Sequence, residues 1–242
     1  MEVEVPEHPI TTWREFFTHM GTITLGLLIA ISLEQTVEWM HHRHQRHQLV
    51  EDMRDEAEEN IKVIDKDTRM LRQEISALQA IADRLNAASA EKGLISVDIS
   101  KEFAPLSQIE AMTSPSRGTW TVARDAGLVP LLRHEQARIY TRLDFEAEQE
   151  LKAEDEATLR YNDLGAVIDG HQAPGGARYQ LELSAEDRSL ALQRLRSYMA
   201  AQSIVITRLG FWRGASEAIV NGVKDEEEMM EYVNGARHQQ QP

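Results

Sequence analysis

The sequence predicts an all-α protein: one N-terminal transmembrane helix, continuous with a long helix of a three-long-helix bundle that has short connecting helices. Three observations predict this class. An uncharged apolar run lies near the N-terminus, apolar residues recur at heptad spacing after it, and two more long stretches with helical periodicity follow. Glycine and proline are few, 13 and 7 in 242 residues, which suits long helices.

The apolar run is FFTHMGTITLGLLIAISL, residues 16–33, and it has no Lys, Arg, Asp or Glu. As a helix it would span about 27 Å, close to the roughly 30 Å hydrocarbon core of a bilayer. Trp13 and Trp39 flank it at a separation typical of the two membrane interfaces. A secretory signal peptide and a buried core helix are the alternatives, but the leader is acidic and shows no convincing cleavage site.

One face of this helix carries small residues every four positions, at Thr18, Thr22, Gly26 and Ala30. Small residues at this spacing let a second backbone approach closely, which predicts self-association or a partner membrane helix. The alternative is that small residues are simply common in membrane helices. Glu34 continues the face and is expected at the membrane interface, either as a polar helix end or as a contact for a partner or ion.

The placement of arginine bears on membrane orientation. Arg14 precedes the run, whereas Arg43, Arg46 and Arg54 follow it. By the positive-inside rule this favours a cytoplasmic C-terminal domain on a single-pass protein of the cell inner membrane. The bias is small, so the side of the membrane stays open.

A histidine-rich collar, HHRHQRH at residues 41–47, follows the run. His41, His44 and His47 are three residues apart, so neighbouring pairs share a helix face and are candidate metal ligands. The alternative is a polar, partly cationic collar at the lipid headgroups, which we favour because no carboxylate completes a known zinc motif.

The next long helix runs without a breaker to Gly93, and its apolar residues form two heptad series. The first series is Val50, Ala57, Ile64, Leu71, Leu78 and Leu85, and the second is Ile61, Thr68, Ile75 and Ala82. Such a seam indicates either a coiled coil or the inner face of a bundle, and the later helices favour the bundle. No carboxylate occupies these positions, so the seam gives no support for a di-metal site.

The remaining elements follow from periodicity and breakers. We expect an extended piece at 95–99, short helices at 100–112 and 116–126, and long helices at 130–168 and from a Ser184 cap to 221. The predicted organisation is a flexible N-terminus (1–11), the transmembrane helix with its flanks (12–40), the bundle (41–224) and a flexible acidic and Gln-rich tail (225–242).

Composition excludes several function classes. The net charge of −14 and the lack of a basic stripe argue against nucleic-acid binding, and the absence of cysteine excludes thiolate chemistry and cysteine metal sites. No phosphate-binding loop, nucleophile elbow or HExxH motif appears. Trp120 near Arg117 and Arg124 could line an anion pocket, but a core tryptophan is the stronger interpretation. We expect no enzyme activity and no cofactor.

Two segments resemble a group of uncharacterised bacterial membrane proteins. The first is WREFFTHMGTITLGLLIAISLEQTVEWMHHRHQ, in which an apolar run is followed by Leu-Glu-Gln, Val-Glu-Trp and a His/Arg stretch. The second lies between Trp120 and Leu143, with Ala-Gly-Leu at 126–128 and Tyr140. Pro130 departs from the pattern of the group. The resemblance implies a membrane-anchored helical domain of unknown function and supplies no active site.

The sequence therefore predicts a membrane-anchored helical protein whose partner is the lipid bilayer, with a structural or interaction (scaffold) role. The alternative is a membrane-tethered, sensor-like domain that binds a small ligand between bundle helices, where bundles commonly form sites. A hydrolytic enzyme is the weakest hypothesis.

Overall fold

The computed structural model describes residues 13–87, 93–101, 113–173 and 180–239, apart from the side chains at 15 and 236–239. The described elements are α1 (Trp13–Ala87), β1 (Ile95–Asp98), α2 (Gly118–Asp125), a 3₁₀ turn (Val129–Leu131), α3 (His134–Gly170), β2 (Gln180–Leu183), α4 (Ala185–Val220) and α5 (Glu226–Gln239). The chain divides into two compact units, Met1–Gln48 and Leu49–Pro242. The predicted flexible segment 1–11 lies outside the described residues.

In the first unit, the N-terminal part of α1 is exposed on every face: each side chain described between 13 and 40 is exposed. Its most apolar window has a mean hydropathy of 1.7 and no buried part, so by length and composition this helix can cross a membrane. The hydroxyls of Thr18, Thr22, Ser32 and Thr36 each donate to the carbonyl oxygen four residues earlier, at 2.7–2.9 Å. These polar groups are therefore satisfied within the helix itself.

In the second unit, the three long helices α1, α3 and α4 pack together as a bundle, which confirms the predicted fold class. The first predicted series on α1 faces the core. Its members Ala57, Ile64, Leu71, Leu78 and Leu85 are buried, and Val50 is half-buried against them. Burial of these side chains is the main driving force for closing the bundle.

The second inner row of α1 differs from the prediction. Ala82 is buried, but Ile61, Thr68 and Ile75 are only half-buried. The row that faces the core lies three residues after the first series rather than four: it consists of Met53, Asn60, Asp67, half-buried Glu74 and Ile81. Both rows satisfy heptad spacing, and apolarity alone favoured the wrong one.

Helix α2 is held by α1. The backbone N–H and the hydroxyl of Thr119 donate to Glu56 Oε2 at 2.9 and 3.0 Å, and the Ser116 hydroxyl donates to the same oxygen at 2.9 Å. Glu56 thus satisfies donors at the start of α2, where the helix dipole also favours a negative charge. Trp120 of α2 is buried, with its ring 5.9 Å from that of Tyr140.

The two strands form an antiparallel pair in which Ile95 lies opposite Leu183 and Val97 opposite Leu181. The extended piece at 95–99 is confirmed as β1, whereas β2 was not predicted.

Helix α3 begins at His134 rather than 130 because a 3₁₀ turn comes first. The Ser184 cap of α4 is confirmed by a capping box with Asp187. Of the short helix expected at 100–112, residues 102–112 lie outside the described residues.

The C-terminal segment also differs from the prediction. Residues 225–242 were expected to form a flexible tail, but 226–239 form α5, which packs on α4. Met229 is 0% exposed and Val233 3% exposed. A Cβ at Gly214 would lie 2.8 Å from the carbonyl oxygen of Tyr232, so the glycine permits this close approach. Apolar residues four apart give the acidic segment one face that it can bury.

Candidate functional site

A cavity of about 630 Å³ opens between α3 and α4 in the second unit. This volume is within the range of about 300–1,000 Å³ that is typical of small-molecule sites. The wall is polar and aromatic. Its polar and aromatic side chains are those of Ser114 before α2, Glu154, Thr158 and Tyr161 on α3, and Tyr198 and Gln202 on α4.

A hydrogen-bonded network ties the α4 side of this wall to α1. The Tyr198 hydroxyl donates to Glu74 Oε1 at 2.7 Å, and the Gln202 amide donates to Glu74 Oε2 at 3.2 Å and to the Tyr198 oxygen at 2.6 Å. Burial raises the pKa of Glu74 and also the pKa of Tyr198. The network fixes the Tyr198 ring and the Gln202 amide in single orientations, as a preformed site requires.

Three further carboxyl groups lie at the α3 side of the wall, one of them in the lining and two buried behind it. Glu150 and Asp67 are both 0% exposed, and Glu154 itself lines the cavity. Burial, with a further contribution from the charge of Glu154, raises the pKa of Glu150 to about 8. Burial likewise raises the pKa of Glu154 and of Asp67. The raised pKa means that burial favours the protonated form of Glu150 at neutral pH.

Two tyrosine side chains in the cavity wall, Tyr161 and Tyr198, form an aromatic pair. The rings of Tyr161 and Tyr198 are 5.6 Å apart, centroid to centroid, and are inclined at 57°. Tyr198 is buried, whereas Tyr161 is 55% exposed, so one ring belongs to the wall and the other reaches solvent. The arrangement offers ring faces, hydroxyls and carboxylates to a bound molecule. It can bind and orient a ligand.

The site residues predicted from the sequence lie elsewhere, on the first unit. Trp13 and Trp39 are exposed on α1, and Glu34 and the small-residue face formed by Thr18, Thr22, Gly26 and Ala30 are exposed between them. No described atom lies within 4 Å of a Cβ built at Gly26, so this face is open.

The His-rich collar is exposed as well, at His41, His44 and His47. Among the described residues, no group of three or more His, Asp or Glu side chains is placed to hold a metal ion. The Arg43 guanidinium instead stacks over the Trp39 ring, 5.4 Å from its centroid.

The anion pocket considered near Trp120 is closed by an ion pair. Arg117 donates from Nε to Asp144 Oδ1 at 3.0 Å, and Arg124 approaches Asp144 within 3.6 Å. Arg117 also lies 3.4 Å from Glu148 Oε1, so two carboxylates offset the two guanidinium groups, and Trp120 is buried in the core, as the favoured interpretation predicted.

Sequence reasoning missed the polar residues in the inner row of α1, one of which, Glu74, holds two residues of the cavity wall. Asn60, Asp67 and Glu74 recur every seven residues on α1, and this polar heptad was the signal that could have found them. A more apolar series, one position further along α1, fits the same period of seven, and apolarity favoured that series instead. Glu150 gave no comparable signal, since its burial depends on which helices meet there.

Comparison of the chain with protein-family models, with curated proteins and with solved structures gave no match. The chain has a long apolar N-terminal helix and a helical domain, as the resemblance to bacterial membrane proteins implies. Membership of that group stays a prediction.

Proposed function

We propose that this chain is a membrane-tethered helical bundle that binds a small ligand between α3 and α4, in the manner of a sensor domain. The observation that carries the ligand-binding part is the cavity of about 630 Å³, whose polar side chains come from α3, from α4 and from the segment before α2. Bundles commonly hold ligands between facing helices, and convergent polar groups with perturbed pKa values are typical of such sites.

The test of ligand binding is a thermal-shift screen of the full-length chain in nonionic detergent. Polar metabolites and organic ions serve as probes, because a ligand that binds the folded state raises its melting temperature. Thr158→Trp fills the cavity from a lining position, whereas Leu159→Trp puts the same bulk at an exposed neighbour outside the wall. We expect T158W to abolish the shift and L159W to retain it. A shift that survives T158W would contradict this site.

Exposure of the N-terminal part of α1 supports the membrane tether. Leu25, Leu27, Leu28 and Ile29 are 53–60% exposed, and a continuous apolar surface of this kind is unfavourable in water. The described helix also continues without interruption to Ala87, which favours a retained anchor over a removable signal. Inner-membrane localisation, with a weak preference for a cytoplasmic bundle, is part of the proposal, and a C-terminal topology reporter tests it.

Membrane fractionation tests the tether. We expect the wild-type chain to stay in the membrane fraction after an alkaline wash. Leu25→Arg should lower that fraction, because arginine at the centre of a span costs about 2.5–3.5 kcal/mol. Ile204→Arg, at an exposed position of α4, is the matched control and should behave as wild type. Wild-type chain that is monomeric and soluble without detergent would refute the anchor.

A second candidate function is a scaffold whose membrane helix binds a second copy or a partner helix. The open face at Thr18, Thr22, Gly26 and Ala30 favours it. In a membrane dimerisation reporter, Gly26→Leu should reduce association. Gly21→Leu, which adds the same bulk away from this face, should not. Equal signals from the two variants would count against the scaffold.

A further inference from the structure

We infer that the cavity between α3 and α4 takes a small organic cation, one that carries an ammonium or guanidinium group. This inference names the ligand class of the site and rests on the ligand-binding function proposed above. Four features of the site carry it: the charge of the wall, a buried carboxyl group without a donor, the aromatic pair and the size of the space.

The charge of the site is negative. Glu154 lies in the wall, and Glu74 is bonded to the wall residues Tyr198 and Gln202. No lysine or arginine is among the described residues that line the cavity. Carboxylates in a partly enclosed, low-dielectric space focus a negative potential, which attracts a positive ligand and disfavours an anion.

Glu150 gives an independent reason. It is 0% exposed, and no N–H or O–H group of the described residues donates to either of its carboxyl oxygens. The charge of Glu154, one turn further along α3, further disfavours the ionised form of Glu150. A buried pair of carboxyl groups without a donor is unfavourable when both are ionised. A cation held at Glu154 places a positive charge beside the pair, which favours the ionised form of both carboxyl groups over a protonated Glu150.

The aromatic pair suits a cation that has apolar surface. The Tyr161 and Tyr198 rings are inclined at 57° with centroids 5.6 Å apart, so they form two sides of a corner. Ring faces attract ammonium and guanidinium groups through their quadrupole. The bond from the Tyr198 hydroxyl to Glu74 holds one side of the corner fixed, and the more exposed Tyr161 stands toward solvent.

The size of the space distinguishes an organic cation from a bare metal ion. A cavity of about 630 Å³ is far larger than a coordination sphere. Among the described residues, no three acidic or histidine side chains converge as metal ligands would. Thr158 and Ser114 add hydroxyls to the wall, and these can accept hydrogen bonds from a nitrogen-bearing ligand.

The experiment is calorimetric titration of the full-length chain in nonionic detergent. The cationic probes are butylammonium, tetramethylammonium and guanidinium chlorides at millimolar concentration. Butanol is the neutral counterpart of butylammonium, and magnesium chloride tests an inorganic cation. We expect at least one organic cation to bind, and butanol and magnesium to bind at least tenfold more weakly or not at all.

Three variants locate the binding. Glu154→Gln removes the wall charge and should weaken binding at least tenfold. Tyr161→Leu, at a position that is 55% exposed, should weaken it about threefold to thirtyfold. Asp155→Asn removes an exposed charge next to Glu154 but not from the wall, and should weaken binding much less than E154Q does.

The outcomes separate this inference from the function on which it rests. Butanol binding as tightly as butylammonium, with loss in Y161L, overturns the cation and leaves ligand binding in place. Cation binding that neither E154Q nor Y161L weakens also overturns the inference, because the cation then sits elsewhere. Failure of all probes together with failure of the thermal-shift screen overturns both.

Discussion

Replacement of the buried acid Glu150 by glutamine should stabilise the protein, and increasingly so as the pH rises. Glu150 is 0% exposed and its pKa is raised to about 8 by burial and by the charge of Glu154. In the unfolded chain its pKa is near 4.5. The folded state therefore binds this proton more tightly, and the contribution of Glu150 to stability is lost as the pH rises from 4.5 through 8.

The magnitude follows from these two pKa values. Each pH unit between them removes about 1.4 kcal/mol of folding free energy, so the loss is about 1 kcal/mol at pH 5 and about 3 kcal/mol at pH 7. Glutamine is an isostere of the protonated acid and avoids the loss. The figure is an upper limit, because the neighbouring acids Glu154 and Asp67 readjust their own protonation when Glu150 changes.

The assay is thermal unfolding of the full-length chain in nonionic detergent, followed by circular dichroism at pH 5 and pH 7. For a bundle of this size, about 3 kcal/mol corresponds to a rise in melting temperature of roughly 6–12 °C. We expect Glu150→Gln to exceed wild type by that amount at pH 7 and by a few degrees at pH 5. Asp155→Asn, an exposed acid on the same helix, should show no such pH dependence. An E150Q variant that gains nothing between pH 5 and pH 7 would refute the buried protonated acid.

Four further substitutions test the packing and the site. Gly214→Ala should lower stability by about 1–3 kcal/mol in thermal unfolding, because the added methyl group meets the backbone of α5; Gly165→Ala, where no described atom lies within 4 Å, should instead add about 0.5–1 kcal/mol. Leu71→Ala, in the buried series of α1, should cost about 2–5 kcal/mol in the same assay, and a loss below 1 kcal/mol would contradict the bundle register. Tyr198→Phe removes the hydroxyl of the network and should cost about 1–3 kcal/mol; a neutral result would show that the network is not formed.

The predicted anchor and the helices rest on local patterns. The apolar run at 16–33, the Ser184 cap and the core series of α1 are properties of neighbouring residues in the chain, and helix formation depends mainly on such neighbours. In the structure the apolar run is helical and exposed, α4 is capped by Ser184, and the first series of α1 faces the core. The two helix starts that shifted, at 130 and 116, lie beside a proline and a run of polar residues, where boundaries depend on single hydrogen bonds.

The sequence could not predict the candidate site. Either row of α1, the apolar one with Ile61 and Ile75 or the polar one with Asp67 and Glu74, satisfies the same period of seven. The surface of α4 decides which row faces the core, because its Tyr198 hydroxyl and Gln202 amide donate hydrogen bonds to Glu74. A polar side chain such as Glu74 is usually withdrawn from water where partners on another helix compensate it, and partners distant in sequence leave no periodic signal.

By itself, the sequence of this protein determined where the three long helices form and which segment is apolar enough to span a membrane, because period and hydropathy act over a few turns. The tertiary structure alone decided that Asp67 and Glu150 are buried and that α5 docks at Gly214. Both depend on contacts among helices that are far apart in the chain, and the free energy of such contacts belongs to the assembled bundle rather than to any one segment.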